Sequence, residues 1–92
     1  MKNIYLLMQN VTRDYDTYDS CVVVANNVEE AVNMHPNNRC IFNGKSWVDK
    51  DGDDMWYAEK SWCNPKCVQI TLIGVTDLYN KSKVICSSFN AG

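Results

Sequence analysis

Ile4-Tyr5-Leu6-Leu7-Met8 and Cys21-Val22-Val23-Val24-Ala25 are the two stretches on which the fold turns. Each is a continuous apolar run of strand length, the second rich in β-branched residues, and both read as interior strands of a sheet. Between them, Asn10 to Ser20 is polar and dense in turn-forming residues, so the two strands are expected to form a long-looped β-hairpin.

Working outward, Asn27 can cap a helix, with Glu30 at the third helical position as in a capping box and Val28, Ala31 and Val32 on one face. Pro36 stops it after about two turns, too short to persist alone, so its apolar stripe must pack on the sheet. Residues 37–66 are different in kind. Asn43-Gly44 and Asp51-Gly52 are hairpin-turn signals, and Trp47, Trp56, Tyr57 and Trp62 gather around them, which predicts an inserted hairpin or ordered loop. Beyond Pro65, Val68, Ile70 and Leu72 alternate with Gln69 and Thr71 as in a half-buried strand, with Gly74 ending it or marking a bulge. Lys83 to Phe89 supplies a last strand. The expected architecture is α+β: an antiparallel sheet of about four strands in the order β-β-α-insertion-β-β, with one short helix on one face.

A chain of 92 residues makes one domain and one core. Its 46% hydrophobic and 22% charged content is that of a folding chain rather than a disordered one. A net charge of -2 disfavours direct nucleic-acid binding, which depends on clustered Lys and Arg. The apolar stretch near the start is too short for a signal-peptide core or a membrane span, so no membrane association is expected. Five cysteines, an odd count without a secretion signal, read as reduced thiols that pack as small apolar residues.

Chemical constellations are weak. His35, Cys40, Cys63 and Cys67 are of zinc-ligand type, and Cys63-x3-Cys67 is an admissible pair, but His35-x4-Cys40 is not a usual one and Pro36 intervenes. Asp49 to Asp54 resembles the opening of a calcium loop, yet Asp54 stands where glycine is needed and Lys60 where a bidentate Glu belongs. The only histidine, His35, has no nucleophile nearby in sequence, and a His before a proline at a helix end reads as a cap or surface residue. Asp14, Asp16 and Asp19 read as turn formers, and no glycine-rich phosphate loop is present. No catalytic residue and no cofactor is expected.

The run Tyr15-Asp16-Thr17-Tyr18-Asp19-Ser20 alternates aromatic faces with short polar groups, a composition suited to recognition or to covering a sheet edge. Trp47, Trp56 and Trp62 could line a partner surface or complete a thin core.

These stretches carry a family resemblance. Ile4-Tyr5-Leu6, the Tyr15 to Ser20 run leading into Val22-Val23-Val24-Ala25, and the helix ending at His35-Pro36 resemble small proteins encoded by tailed bacteriophages. So do Trp62-x-x-Pro65 leading to Val68-x-Ile70-x-Leu72-Ile73-Gly74 and the terminal Ser88-Phe89-Asn90-Ala91-Gly92. The resemblance covers most of the chain outside residues 37–61 and brings no activity with it. Cys63 and Cys67 stand where such relatives have non-ligand residues, and the aromatic insertion is longer here.

The resemblance implies a protein of the host cytoplasm that acts stoichiometrically on host machinery or host defence, occluding a host protein or sequestering a small nucleotide signal. The expected contact residues are Tyr15, Asp16, Tyr18, Asp19, Ser20, Ser88, Phe89 and Asn90, with Trp47, Trp56 and Tyr57 for a protein target. A nucleotide site in so small a domain implies a homo-oligomer. The other classes left open are a virion or structural accessory protein and a small zinc-binding domain.

Overall fold

A computed structural model describes residues 1–13 and 15–90. Its main sheet holds β1 (Lys2–Met8), β2 (Thr17–Ala25), β5 (Gln69–Thr76) and β6 (Lys83–Asn90) in the order β5-β1-β2-β6, every neighbouring pair antiparallel. The two most apolar runs thus occupy the centre, as their composition requires. Helix α1 (Val28–Val32) follows β2. The insertion contains a small hairpin, β3 (Ile41–Phe42) with β4 (Trp47–Val48), then helix α2 (Trp56–Ser61) and a 3-10 turn (Pro65–Cys67).

Asn27 caps α1 by accepting from the Glu30 N–H at 2.8 Å, but Glu30 returns the bond one residue early, to the Asn26 N–H at 2.9 Å. The helix is also shorter than its apolar pattern suggested. It stops before Pro36 because Asn33 accepts from the Phe42 N–H at 3.0 Å and Met34 bridges to Ile41, so the chain leaves the helix to pair with the insertion. As a result Val28 remains 49% exposed and only Ala31 of the stripe is fully buried.

The insertion is more than a hairpin. Asn43 closes the β3–β4 turn by accepting from the Lys45 and Ser46 N–H groups, with Gly44 at φ 103. Helix α2 was not expected from sequence: it is six residues long, and no side chain caps it at Met55. Gly74 lies within β5 at a bulge opposite Ile4 and Tyr5, and the strand continues to Thr76.

The core lies on one face of the sheet, where Tyr5, Leu7, Cys21, Val23 and Ala25 meet Ala31, Trp47, Ala58 and Trp62. Trp47 and Trp62 are 1% and 0% exposed, so Trp47 is a core residue and not part of a partner-binding surface. The insertion therefore supplies Cys40, Trp47, Ala58 and Trp62 to the core. Asn38, in the left-handed region at φ 61, holds it to the sheet by accepting from the Val84 N–H at 3.1 Å. No helix among the described residues is long and apolar enough to cross a membrane.

Candidate functional site

Gln9, buried at the end of β1, organises the loop that leads to the site. Its Oε1 accepts from the Val11 and Thr12 N–H groups, and its Nε2 donates to the Thr12 and Tyr18 carbonyls, all at 2.7–2.8 Å. One amide side chain thus satisfies four backbone groups that a long loop would otherwise leave unpaired. The loop returns to the sheet through Asp16, at φ 61, whose N–H donates to the Asn90 carbonyl at 2.7 Å.

This geometry joins stretches far apart in sequence. Tyr18 pairs with Phe89 across β2 and β6, their rings 4.8 Å apart, and meets the edge of the His35 ring at 5.8 Å. Together with Tyr15, Asp16, Asn37, Tyr57, Lys60 and Ser61, Tyr18 and Phe89 line an open cleft of about 450 Å³. Tyr15 is 78% exposed and Phe89 47%. Burial pushes the Tyr18 hydroxyl above its ordinary range, while the nearby Arg39 charge pulls it back in part. The cleft's own cation, Lys60, sits 4.8 Å from the ring centre of Trp56, which packs edge-on to Tyr57.

Other expected contacts fall elsewhere. Ser20 pairs with Met8 and Ser88, one position from core-facing Cys21, so both serines lie on the sheet's opposite face. Asp19 is exposed at the bulge between the Tyr18 and Ser20 pairs, and Asn90 contributes its backbone carbonyl. Trp56 flanks the cleft through Tyr57 and Lys60. Asp14, Ala91 and Gly92 lie outside the described residues. Sequence reasoning missed Asn37, Lys60 and Ser61; Tyr57, Lys60 and Ser61 stand at helical i, i+3, i+4 spacing, a signal usable only once α2 is known to be a helix.

His35 is neither a cap nor a surface residue: it is fully buried beneath the cleft, edge-on to Trp47 at 5.1 Å. The Asn37 N–H donates to Nδ1 at 3.0 Å, so the ring proton resides on Nε2 and is given to the Ala58 carbonyl at 2.8 Å. Contrary to the sequence expectation, a nucleophile type is near it. Ser61 Oγ lies 3.3 Å from Nε2 and lines the cleft. That nitrogen already carries the proton, however, so it cannot take one from Ser61, and among the described residues the other nitrogen meets the Asn37 N–H and not the carboxylate that a serine–histidine base requires. Burial holds the His35 pKa below its ordinary value.

The zinc constellation does not assemble. Both His35 nitrogens are engaged, Cys40 Sγ meets the Asn37 amide at 3.5 Å, and no group of three or more potential metal ligands is clustered among the described residues. Cys63 is buried with its thiol pushed up to about 11, while Cys67 is exposed; both are free thiols. In the acidic segment, Asp49 Oδ1 accepts from the Asp51 and Asp53 N–H groups, which makes it a turn former.

The chain matches no family model, no curated protein and no solved structure.

Proposed function

We propose that this is a phage-encoded, non-catalytic binding protein of the host cytoplasm that sequesters a small nucleotide-type ligand in the cleft formed by Tyr15, Tyr18, Tyr57 and Phe89. The observation that carries the reading is the convergence of three separated stretches, 15–18, 35–37 and 89–90, around Tyr18. These are also stretches on which the phage resemblance rests.

The chemistry suits such a ligand. Aromatic faces offer stacking area for a base, the Asp16 carboxylate and Asn37 amide can meet hydroxyl or amino groups, and Lys60 supplies a cation for phosphate. A volume of about 450 Å³ lies within the range of small-molecule sites. Capture of a protein through Trp47, Trp56 and Tyr57 would need those rings on one surface, and Trp47 is buried.

Calorimetric titration with a panel of mono- and dinucleotides tests the reading. Binding should weaken about tenfold or more in Tyr15→Ala and Lys60→Ala, whose exposed side chains can be truncated without opening the core. Failure of the wild-type protein to bind any nucleotide, or binding unchanged in both variants, overturns it. A second reading, occlusion of a host protein, is favoured by Trp56 alone, which is 69% exposed beside the half-exposed Tyr57. The wild-type chain would then bind no nucleotide, and Trp56→Ala would abolish capture of that protein.

A further inference from the structure

Tyr57 lines two clefts and so joins them: the one with Tyr18 and Phe89, and a second open cleft of about 480 Å³ completed by Arg39, Asp49 and Lys50. The second cleft is cationic. It sets two positive side chains against the single carboxylate of Asp49, whereas the first balances Lys60 against Asp16. Asp49 Oδ1 is committed to the Asp51 and Asp53 N–H groups at 2.9 and 3.0 Å. Neither the Arg39 guanidinium nor the Lys50 ammonium has an ion pair or a hydrogen bond among the described residues. Arg39 also acts across the junction, because its charge offsets part of the upward push that burial gives the Tyr18 hydroxyl, which places it within Coulombic reach of the first cleft.

Both cations stand on fixed backbone. The Asn37 side chain, which lines the first cleft, accepts from the Arg39 N–H at 2.8 Å and the Cys40 N–H at 3.2 Å, and the Asn38 N–H closes the same turn on the His35 carbonyl at 2.9 Å. Lys50 follows Asp49, whose N–H donates to the Asp53 carbonyl and whose carbonyl accepts from the Gly52 N–H, both at 3.0 Å. A ligand that meets these residues therefore has side-chain rotamers to order and no loop.

We propose, resting on the nucleotide reading of the first cleft, that the second cleft holds the phosphate tail of the same ligand, which makes that ligand a nucleoside polyphosphate rather than a monophosphate. The base stacks among Tyr15, Tyr18 and Phe89, the chain passes Lys60 and Tyr57, and the outer phosphates end at Arg39 and Lys50. The planar fork of Arg39 suits two oxygens of one phosphate, and Lys50 adds a point charge. Arg39 and Lys50 also border a neighbouring hollow of about 540 Å³, but Glu30 lines it. The Ser82 hydroxyl, and after it the Asn26 N–H, hold the Glu30 carboxyl below the ordinary carboxylate range. A fixed negative charge there turns back a polyanion, so the tail stops at the two cations.

Calorimetric titration with the mono-, di- and triphosphates of the four common nucleosides, in magnesium-free buffer, is the test. Affinity should rise by about tenfold or more from monophosphate to triphosphate. That ratio should collapse toward one in Arg39→Ala and in Lys50→Ala, whose side chains are exposed and make no bond that holds the fold. Lys60→Ala, by contrast, should weaken every member of the series and keep the ratio. The two readings fail separately. Monophosphates that bind as tightly as triphosphates, or a ratio unchanged in both variants, overturn the polyphosphate assignment and leave the first cleft a nucleotide site. Absence of binding by any nucleotide overturns both. Inorganic tripolyphosphate that binds as tightly as the nucleoside triphosphates would show the cations acting without the aromatic cleft, and overturns the joined site.

Discussion

Across 23 residues of sequence, the Nε2–H of His35 donates to the Ala58 carbonyl at 2.8 Å and ties the end of the α1 segment to helix α2 beneath the cleft. A second bond requires a neutral ring: the Asn37 N–H donates to Nδ1 at 3.0 Å, so Nδ1 must stay unprotonated to accept it.

A pH dependence follows. The His35 pKa is lowered in the folded state, chiefly by burial, so below its unfolded value near 6.5 the unfolded chain takes up a proton that the native chain refuses. The stabilisation is therefore complete above about pH 6.5 and is lost as pH falls from there toward the folded pKa, with a slope limited to about 1.4 kcal/mol per pH unit for one proton. Urea midpoints should fall between pH 7 and 5.5, above the range where carboxylates titrate. His35→Gln should be less stable at pH 7 but flat across that window, and an equal slope in the variant would assign the effect to another group.

Gln9→Ala should destabilise by about 2–3 kcal/mol, since four part-buried backbone groups lose their partner and each net bond is worth about 1 kcal/mol, partly restored by water. Loss of order should centre on residues 9–18, which amide hydrogen exchange would localise. Uniform faster exchange across all strands would show that Gln9 supports the sheet rather than the loop.

Asp16→Gly separates the side chain from the backbone. Asp16 sits at φ 61, where a glycine carries no strain, so the variant should keep stability within about 1 kcal/mol of wild type despite glycine's greater unfolded-state entropy. Ligand binding should nevertheless weaken, because the cleft loses its carboxylate. Unaltered titration curves would remove Asp16 from the contact set.

What was legible in advance divides by length scale. Val22-Val23-Val24 and Val68-x-Ile70-x-Leu72 announce strands because period and composition act locally, and Asn27 and Asn43-Gly44 announce a cap and a turn for the same reason. Helix α2 did not, because six residues without a side-chain cap leave no periodic signature and depend on Ala58 and Trp62 reaching the core. The nearness of Tyr18 and Phe89 required the pairing of β2 with β6, a long-range contact visible only as a topological guess. His35 was misread because its helix-end position suggested solvent, whereas its burial is set by Trp47 and Ala58 from the insertion.

Trp62 provides the last expectation. Its indole N–H is fully buried and finds no acceptor among the described residues, while the ring itself fills the core between the insertion and the sheet. An unmet buried donor costs about 1–3 kcal/mol, so Trp62→Phe, which removes the donor and keeps an aromatic body, should be close to neutral as the two effects offset. Trp62→Ala, which opens a cavity, should cost about 3–5 kcal/mol. Guanidinium unfolding of the two variants separates these contributions; a Phe variant as damaged as the Ala variant would mean that the indole N–H has a partner in solution, most simply an ordered water.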